Sequence, residues 1–226
     1  MPAGTLEFCP DGGSVLELGI KSLIAYLLGS VSGSLLLGRM RGVDIRELGS
    51  GNAGGTNALR TQGWRFAVAV MAIDLGKAVV AVGVLPDLDL PLIGIRPRLD
   101  RDWLAVTCAT AVVVGHVYPL WYDFRGGKGA ATLIGAVAVL APAALVPVLA
   151  VWLITVMLTG FVGLGTMLGS IALPVYVATQ RPVEAALLAF GIVMAGFVIF
   201  THRANLARMR AGNESRARRL WLLRPR

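Results

Sequence analysis

The sequence predicts an all-α membrane protein with about seven transmembrane helices in one domain. Of its 226 residues, 56% are hydrophobic and only 15% are charged, whereas soluble domains carry roughly 25% charged residues. The mean hydropathy is +0.72, and a single small core could not bury so much apolar surface. These values argue against a water-soluble enzyme. We expect residues 1–226 to form one membrane-embedded domain with flexible ends at 1–15 and 216–226.

Six apolar runs predict the membrane spans. They cover residues 20–38, 66–85, 103–120, 130–160, 161–179 and 183–201. A spanning helix needs about 20 residues, but the fourth run is longer and carries Pro142 and Pro147 near its middle. We therefore expect two short helices joined by a tight turn within that run. Acidic residues near the N-terminus argue against a cleavable signal peptide, so the first run should remain as a helix.

An odd number of helices places the termini on opposite sides, and the basic residues predict which side is which. Fifteen of them lie inside if the C-terminus is cytoplasmic: Arg39, Arg41, Arg46, Arg60, Arg65, Arg125, Lys128, Arg203, Arg208, Arg210, Arg216, Arg218, Arg219, Arg224 and Arg226. Five then lie outside: Lys21, Arg96, Arg98, Arg101 and Arg181. This distribution follows the positive-inside rule with the N-terminus outside. Three glycine-rich polar loops, at 49–63, 116–132 and 202–215, are then cytoplasmic.

The basic tail and the two cysteines restrict the expected partners. The tail directly follows an apolar run, which favours membrane lipid with anionic headgroups over nucleic acid as its partner. Cys9 lies near the terminus and Cys108 lies inside an apolar run, so they form neither a disulfide framework nor a metal-ligand pattern. We expect no nucleic acid, no metal and no cofactor.

The loop before the fourth run has the composition of a phosphate-binding loop. Gly126, Gly127, Lys128 and Gly129 precede a helix that should begin near Ala130. Glycines let backbone N–H groups approach an anion, and a helix N-terminus adds its positive dipole end to the lysine charge. A Walker A loop would have Ser or Thr directly after the lysine, so this is not one. The alternative is a flexible loop with ordinary cytoplasmic charges.

The loop at 49–63 is a second candidate anion site. Ser50, Asn52, Thr56 and Asn57 stand among glycines, and Arg60 follows them. Hydroxyl and amide groups beside an arginine suit a phosphate or a polyol. The alternative is a mobile linker.

Polar residues also interrupt the apolar runs. His202 and Asn205, three residues apart, should share one helical face, and His202 is either a hydrogen-bond or proton partner or a structural residue. His116 leaves the same alternatives open. Asp74 and Lys77, at positions i and i+3, are expected to neutralise each other, with a proton relay as the alternative.

Together these motifs resemble the bacterial acyl-phosphate-dependent glycerol-3-phosphate acyltransferases, the PlsY family. The matching segments are, in chain order, the glycine and serine that end the first helix (26–30), the G-S-G-N-x-G-x-T-N loop (49–57) with Arg60 after it, the G-H-x-x-P segment (115–119), the F-[KR]-G-G-K-G-x-A-T segment (124–132) and H-R-x-N (202–205). The resemblance extends in one order from about residue 26 to residue 214.

The resemblance implies transfer of a fatty acyl group from acyl phosphate to the 1-hydroxyl of sn-glycerol 3-phosphate. The products would be lysophosphatidic acid and phosphate, formed at the cytoplasmic face of the bacterial inner membrane. Neither a metal nor acyl-CoA is implied, and an acyl-phosphate-producing enzyme would supply the donor.

The resemblance also implies roles for the matched residues. Acyl phosphate would be held by Gly126, Gly127, Lys128, Gly129 and Thr56, and glycerol 3-phosphate by Ser50, Arg60, His202 and Asn205. Lys128, His202 and Ser50 would take part in catalysis, with the Lys128 charge on the leaving phosphate. The general base stays open between His202 and an oxygen of the acyl phosphate.

One segment departs from the family pattern. The family usually has V-S-L-x-S between the fifth and sixth helices, whereas this chain has Gly163 at the first serine position and Thr166 at the second. A hydroxyl contact is therefore lost at Gly163. The alternative function is an anion or lipid-phosphate transporter, which would also use cationic glycine loops, although the outer loops lack a comparable polar cluster.

Overall fold

The computed structural model describes residues 12–90, 99–218 and 220–223. Within these ranges the helices are α1 (Gly12–Gly29), α2 (Gly33–Met40), α3 (Gly55–Gln62), α4 (Trp64–Gly83), α5 (Arg101–Val117), α6 (Ala130–Leu140), α7 (Leu145–Thr159), α8 (Val162–Thr179), α9 (Ala185–Thr201) and α10 (Arg203–Arg210). Several residues discussed above lie outside the described ranges: Cys9, Arg96, Arg98, Arg219, Arg224 and Arg226.

Within the described residues, five helical segments are long and apolar enough to cross a membrane. They are Gly12–Gly29, Trp64–Asp87, Arg101–Tyr122, Pro142–Thr159 and Val162–Thr179. The pair α9 and α10 gives a sixth span if the 50° bend between them is counted as part of one crossing. The multi-pass, all-helical prediction is confirmed. The expected number of about seven is reached by including α6, which at roughly 16 Å is too short to cross alone.

The first apolar run is broken, although the sequence predicts one helix over 20–38. It forms α1 and α2, and α1 begins at Gly12, inside the end that was expected to be flexible. A Cβ at Gly29 would overlap the carbonyl oxygen of Val112, so glycine allows α1 to pack closely on α5 here. The break therefore follows from tertiary contacts that the hydropathy of the run does not reveal.

The expected turn within 130–160 is confirmed. A 3-10 turn at Pro142–Ala144 separates α6 from α7, and Pro147 lies in the first turn of α7, where its missing N–H costs no intrahelical hydrogen bond. Gly135 of α6 packs against the backbone of Leu75 in α4, where a Cβ would lie 2.5 Å from the carbonyl oxygen. The short α6 is therefore held between longer helices, with its N-terminus beside the loops.

A buried ion pair connects the helices at the end of the molecule opposite the three loops. Lys21 Nζ lies 2.8 Å from Glu17 Oε1, and both side chains are fully buried. The Lys21 ammonium also donates to Pro86 O at 2.9 Å, while Glu17 Oε2 accepts from the Leu99 backbone at 3.1 Å. Lys21, assigned above to an outer loop, is thus inside the bundle, where it ties α1 to the ends of α4 and α5.

The C-terminal segment, expected to be flexible from residue 216, packs on the turn between α7 and α8. Ala217 N donates to Gly160 O at 2.7 Å, and Leu222 N donates to Met157 O at 2.9 Å. The Arg216 guanidinium lies over the Trp221 ring, 4.1 Å from its centroid. These contacts fix the described part of the tail beside the loops.

Candidate active site

A cavity of about 350 Å³ extends from the loop end of the molecule into the helices. Its polar half is lined by six residues that the sequence predicted as functional: Ser50, Thr56, Arg60, Lys128, His202 and Asn205. Side chains of α6, α7 and α8 line its apolar half, including Leu133, Val137, Val148, Trp152 and Leu173. The three predicted loops therefore meet at one end of an apolar groove.

The loop at 49–63 is held in shape by Asn57. The buried Asn57 amide Nδ2 donates to Ile45 O at 3.1 Å and to Leu48 O at 2.9 Å, and Oδ1 accepts from Ser50 N at 2.9 Å. This loop is therefore not a mobile linker. Arg60 lies on α3 with an exposed side chain, and no hydrogen bond or ion pair within the described ranges occupies its guanidinium.

Lys128 is positioned by the last two helices. Its Nζ donates to Asn205 Oδ1, and its carbonyl oxygen accepts from Thr201 Oγ1 at 3.1 Å. Burial and, to a smaller extent, the charge of Arg208 lower the pKa of Lys128, and Glu214 opposes them, which leaves the pKa at about 8. A bound anion would counter both unfavourable effects, since it would compensate the lost hydration and the nearby positive charge.

The glycine loop differs from the expected phosphate cradle. Gly126 N donates to Val117 O at 3.0 Å, and Gly127 N donates to His116 O at 3.2 Å, so both N–H groups are used inside the protein. Neither glycine lines the cavity, whereas Ala130 and Ala131 in the first turn of α6 do. The N–H groups that lack intrahelical partners are those of this first turn, so the backbone donors of this motif that remain free lie there, beside Lys128.

His202 lies at the junction of α9 and α10, and its hydrogen bond determines which ring nitrogen carries the proton. Nδ1 lies 2.8 Å from Val198 O. A carbonyl oxygen only accepts, so Nδ1 is the donor and Nε2 of the neutral ring keeps its lone pair. The bend places His202 as the cap between the two helices, with Asn205 in the first turn of α10. Both residues line the cavity.

Glu214 and Arg208 are cavity residues that sequence reasoning missed. Glu214 accepts from Asn205 Nδ2 at 2.7 Å and from Arg208 Nε at 2.6 Å. It therefore orients the amide whose oxygen meets Lys128. The one signal available in the sequence was that Glu214 is the only acidic residue in the basic tail.

The predicted pair of Asp74 and Lys77 is confirmed, with Nζ 3.2 Å from Oδ1. It also spans the break between α1 and α2. Lys77 Nζ donates to Gly29 O and Val31 O, both at 2.8 Å, while Asp74 Oδ1 accepts from Gly33 N at 3.0 Å. Each charge thus meets the helix end that its sign stabilises.

The departure at Gly163 has a local explanation. A Cβ at Gly163 would lie 2.9 Å from Asn205 Nδ2, so α8 approaches α10 too closely for a side chain without adjustment. Thr166 lines the cavity, and its hydroxyl donates to Val162 O at 2.9 Å. The hydroxyl of Thr166 can therefore still accept a hydrogen bond.

The chain is similar to known proteins over most of its length. Residues 20–212 match the model of a family described as glycerol-3-phosphate acyltransferase. The chain is 36% identical over 216 residues to the glycerol-3-phosphate acyltransferase of Chlorobaculum parvum. This alignment covers 85% of this chain and 93% of that protein. For the protein of the same description from Chlorobaculum tepidum, identity is 35% over 217 residues, with coverage of 86% and 94%.

Two solved structures are also similar. Both are crystal structures of PlsY (YgiH), an integral membrane glycerol 3-phosphate acyltransferase. The glycerol 3-phosphate form gives a TM-score of 0.75 at 30% identity, and the lysophosphatidic acid form gives 0.73 at 29%. Each match covers 88% of this chain and 94% of the other.

Proposed function

Because the chain belongs to the glycerol-3-phosphate acyltransferase family, we propose that it transfers a fatty acyl group from acyl phosphate to the 1-hydroxyl of sn-glycerol 3-phosphate. The products are lysophosphatidic acid and inorganic phosphate. The observation that carries the proposal is the cavity whose cationic polar half continues into an apolar groove. Both reactants are anionic and one carries an acyl chain, so this combination suits them. Family membership favours this function over the anion or lipid-phosphate transporter.

The acceptor occupies the side of the cavity formed by α3 and α10. Arg60 binds the phosphate of glycerol 3-phosphate, since its guanidinium is free of hydrogen bonds within the described ranges and an arginine fork matches phosphate oxygens. Ser50, His202 and Asn205 then lie around the glycerol hydroxyls. A polyol held by several hydrogen bonds is oriented as well as bound, which favours attack by one hydroxyl.

The donor occupies the side formed by α6. Its phosphate lies between Lys128 and the N–H groups of Ala130 and Ala131, while Gly127 and Gly129 shape the loop that carries the lysine. Thr56 faces this phosphate from α3. The acyl chain enters the groove between α6, α7 and α8, where burial of each CH₂ group contributes about 0.8 kcal/mol.

The reaction is an acyl transfer between two oxygens. The 1-hydroxyl oxygen forms a bond to the acyl carbonyl carbon, and the bond from that carbon to the phosphate oxygen breaks. His202 Nε2 has the lone pair that accepts the hydroxyl proton, which then passes to the released phosphate. Lys128 neutralises the negative charge that grows on the leaving phosphate.

We assign the protein to the bacterial inner membrane, with the site facing the cytoplasm and lipid around the helices. The distribution of basic residues supports this orientation, and the acyl phosphate would come from a cytoplasmic enzyme that produces it. A membrane-impermeant thiol reagent on whole cells should label Cys9 and spare a cysteine introduced at Ser215. Labelling in the opposite sense would reverse the orientation.

The function is tested with purified protein, labelled glycerol 3-phosphate and either palmitoyl phosphate or palmitoyl-CoA. We expect palmitoyl phosphate to give lysophosphatidic acid and phosphate in equal amounts, and palmitoyl-CoA to give no product. Robust turnover with palmitoyl-CoA alone would contradict the proposed donor. Product from neither donor would contradict the proposed reaction.

A further inference from the structure

His116 is a buried titratable residue that the proposed mechanism does not use. It lies in the last turn of α5 with 2% of its surface exposed. Its ring has the Asp74–Lys77 pair on one side and the glycine loop on the other. A side chain packed between a fixed charge pair and this loop can hold the loop in place relative to the pair.

On the first side, the ring is held by the charge pair. Lys77 Nζ lies 2.9 Å from His116 Nδ1, and Asp74 Oδ1 lies 3.4 Å from the same nitrogen. The ammonium already gives two of its three hydrogens to Gly29 O and Val31 O. Its third hydrogen lies between Asp74 Oδ1, 3.2 Å away, and the closer Nδ1 of His116. With Nδ1 as an acceptor, the proton of the neutral ring is on Nε2.

On the second side, the ring and backbone of His116 support the glycine loop. A Cβ at Gly127 would overlap His116 Nε2 and would lie 2.8 Å from Ala53 O. The loop backbone therefore runs between the imidazole edge and the loop at 49–63. Gly127 N also donates to His116 O, so the residue just before Lys128 is fixed by both parts of His116.

We propose that His116 is a positioning residue that sets the place of Lys128, and through it of the donor phosphate. This inference rests on the proposed function, because it needs a phosphate donor at Lys128. His116 touches no reacting atom. Its ring contacts Lys77 on one side and Gly127 on the other. The ring therefore fixes Gly127 relative to Lys77, and Lys128 follows Gly127 in the chain.

Two amide substitutions separate the two sides of the ring. In His116→Asn the amide oxygen takes the place of Nδ1 and still accepts from Lys77, but nothing replaces Nε2 beside Gly127. In His116→Gln the amide reaches the position of Nε2 and keeps the contact with Gly127. We expect His116→Asn to raise the KM for acyl phosphate about 10- to 100-fold, while the KM for glycerol 3-phosphate stays within about twofold of the wild-type value. In His116→Gln most of this rise in the KM for acyl phosphate should be absent.

A double-mutant cycle with Gly127→Ala tests the contact itself. The added methyl should impair the wild-type protein, and it should impair His116→Asn less, because the shorter side chain removes the overlap with Nε2 although the close contact with Ala53 O remains. The two changes should therefore be non-additive. Melting temperatures in detergent, measured on the same samples, identify variants that fail to fold.

Three results would each overturn the positioning role. They are an equal rise in both KM values in His116→Asn, a rise in the KM for acyl phosphate that is as large in His116→Gln as in His116→Asn, and additive effects in the double-mutant cycle. Failure of both amide variants to fold would also overturn it in favour of a purely structural role. Wild-type turnover with the two donors is measured first. If the wild type used acyl-CoA, the proposed function would fail, and the cycle, measured with that donor, would still show whether His116 positions the loop.

Discussion

The charged side chains at the two ends of the bundle are arranged in opposite ways. At the end away from the loops, Lys21 is enclosed by Glu17 and Pro86 O, with both members of the ion pair fully buried. At the loop end, Lys128 and Arg60 line a cavity, and among the described residues the Lys128 ammonium is held by one neutral amide. The first lysine has its counter-charge built in, while the second faces a cavity.

This difference separates structural from functional charges more clearly than residue type does. Removing a cation from water without a counter-charge is unfavourable, and Lys128 is partly buried, so a bound anion would compensate it. The pair of Asp74 and Lys77 also has its counter-charge built in and lies on the helix ends of α1 and α2, but Asp74 in addition lines the cavity. We call a charge that faces the cavity without a counter-charge open, and a charge enclosed with its counter-charge closed. The comparison predicts that substituting an open charge lowers activity and that substituting a closed charge lowers stability.

The largest effect is expected at Lys128. Lys128→Ala removes the cation beside the leaving phosphate and should lower turnover about 100-fold or more, with little change in melting temperature. The measurement is kcat with saturating palmitoyl phosphate and glycerol 3-phosphate. Arg218→Ala, an exposed cation in the docked tail, serves as the matched control and should change turnover hardly at all. A folded Lys128→Ala protein with near-normal kcat would remove the distinction between the two ends.

Arg60 should show the next largest effect, in binding rather than in rate. Arg60→Ala loses a charge-assisted contact to the acceptor phosphate, so the KM for glycerol 3-phosphate should rise by about tenfold or more. The KM for acyl phosphate should change little. The reverse pattern, with the donor KM affected alone, would place Arg60 on the other phosphate.

A pH profile tests the same difference, because the role proposed for Lys128 requires its charged form. Its pKa of about 8 means that kcat/KM for acyl phosphate should fall about tenfold per pH unit above that value. In Lys128→Arg the guanidinium stays charged, so this decline should disappear even if the absolute rate is lower. A decline that persists in Lys128→Arg would assign the titration to another group.

The smallest kinetic effect is expected at the closed pair. Glu17→Gln leaves Lys21 buried without its carboxylate, which should destabilise the protein by about 3–5 kcal/mol. Turnover per folded molecule should stay within about twofold of the wild type. Thermal unfolding in detergent and active-site-normalised rates measure the two quantities separately, and a large drop in the normalised rate would show that the far end is coupled to the chemistry.

Much of the candidate site could be predicted from the sequence, because its residues lie in short local motifs. Ser50, Arg60, Lys128, His202 and Asn205 line one cavity as the loop positions suggested. The prolines at 142 and 147 likewise marked the break between α6 and α7. Short motifs and prolines can be interpreted from the sequence alone, because they act on residues that are adjacent in the chain.

The features that sequence reasoning missed depend on distant partners. The break between α1 and α2 is stabilised by Lys77 and Asp74 from another helix. Gly126 and Gly127 have the composition of an anion cradle, yet their N–H groups bond to the end of α5. Glu214 is the one acidic residue in a basic tail, and its contact with Asn205 appears only in the fold. None of these contacts has a signature in local spacing.

The most direct test compares Lys128→Met with Lys21→Met, because the same substitution then removes the open and the closed cation. Melting temperature and turnover of acyl phosphate with glycerol 3-phosphate are measured on the same preparations. The account predicts that Lys128→Met keeps its melting temperature and loses turnover, while Lys21→Met melts at a lower temperature and keeps turnover per folded molecule. The reverse assignment, or equal loss of both properties in both variants, would contradict it.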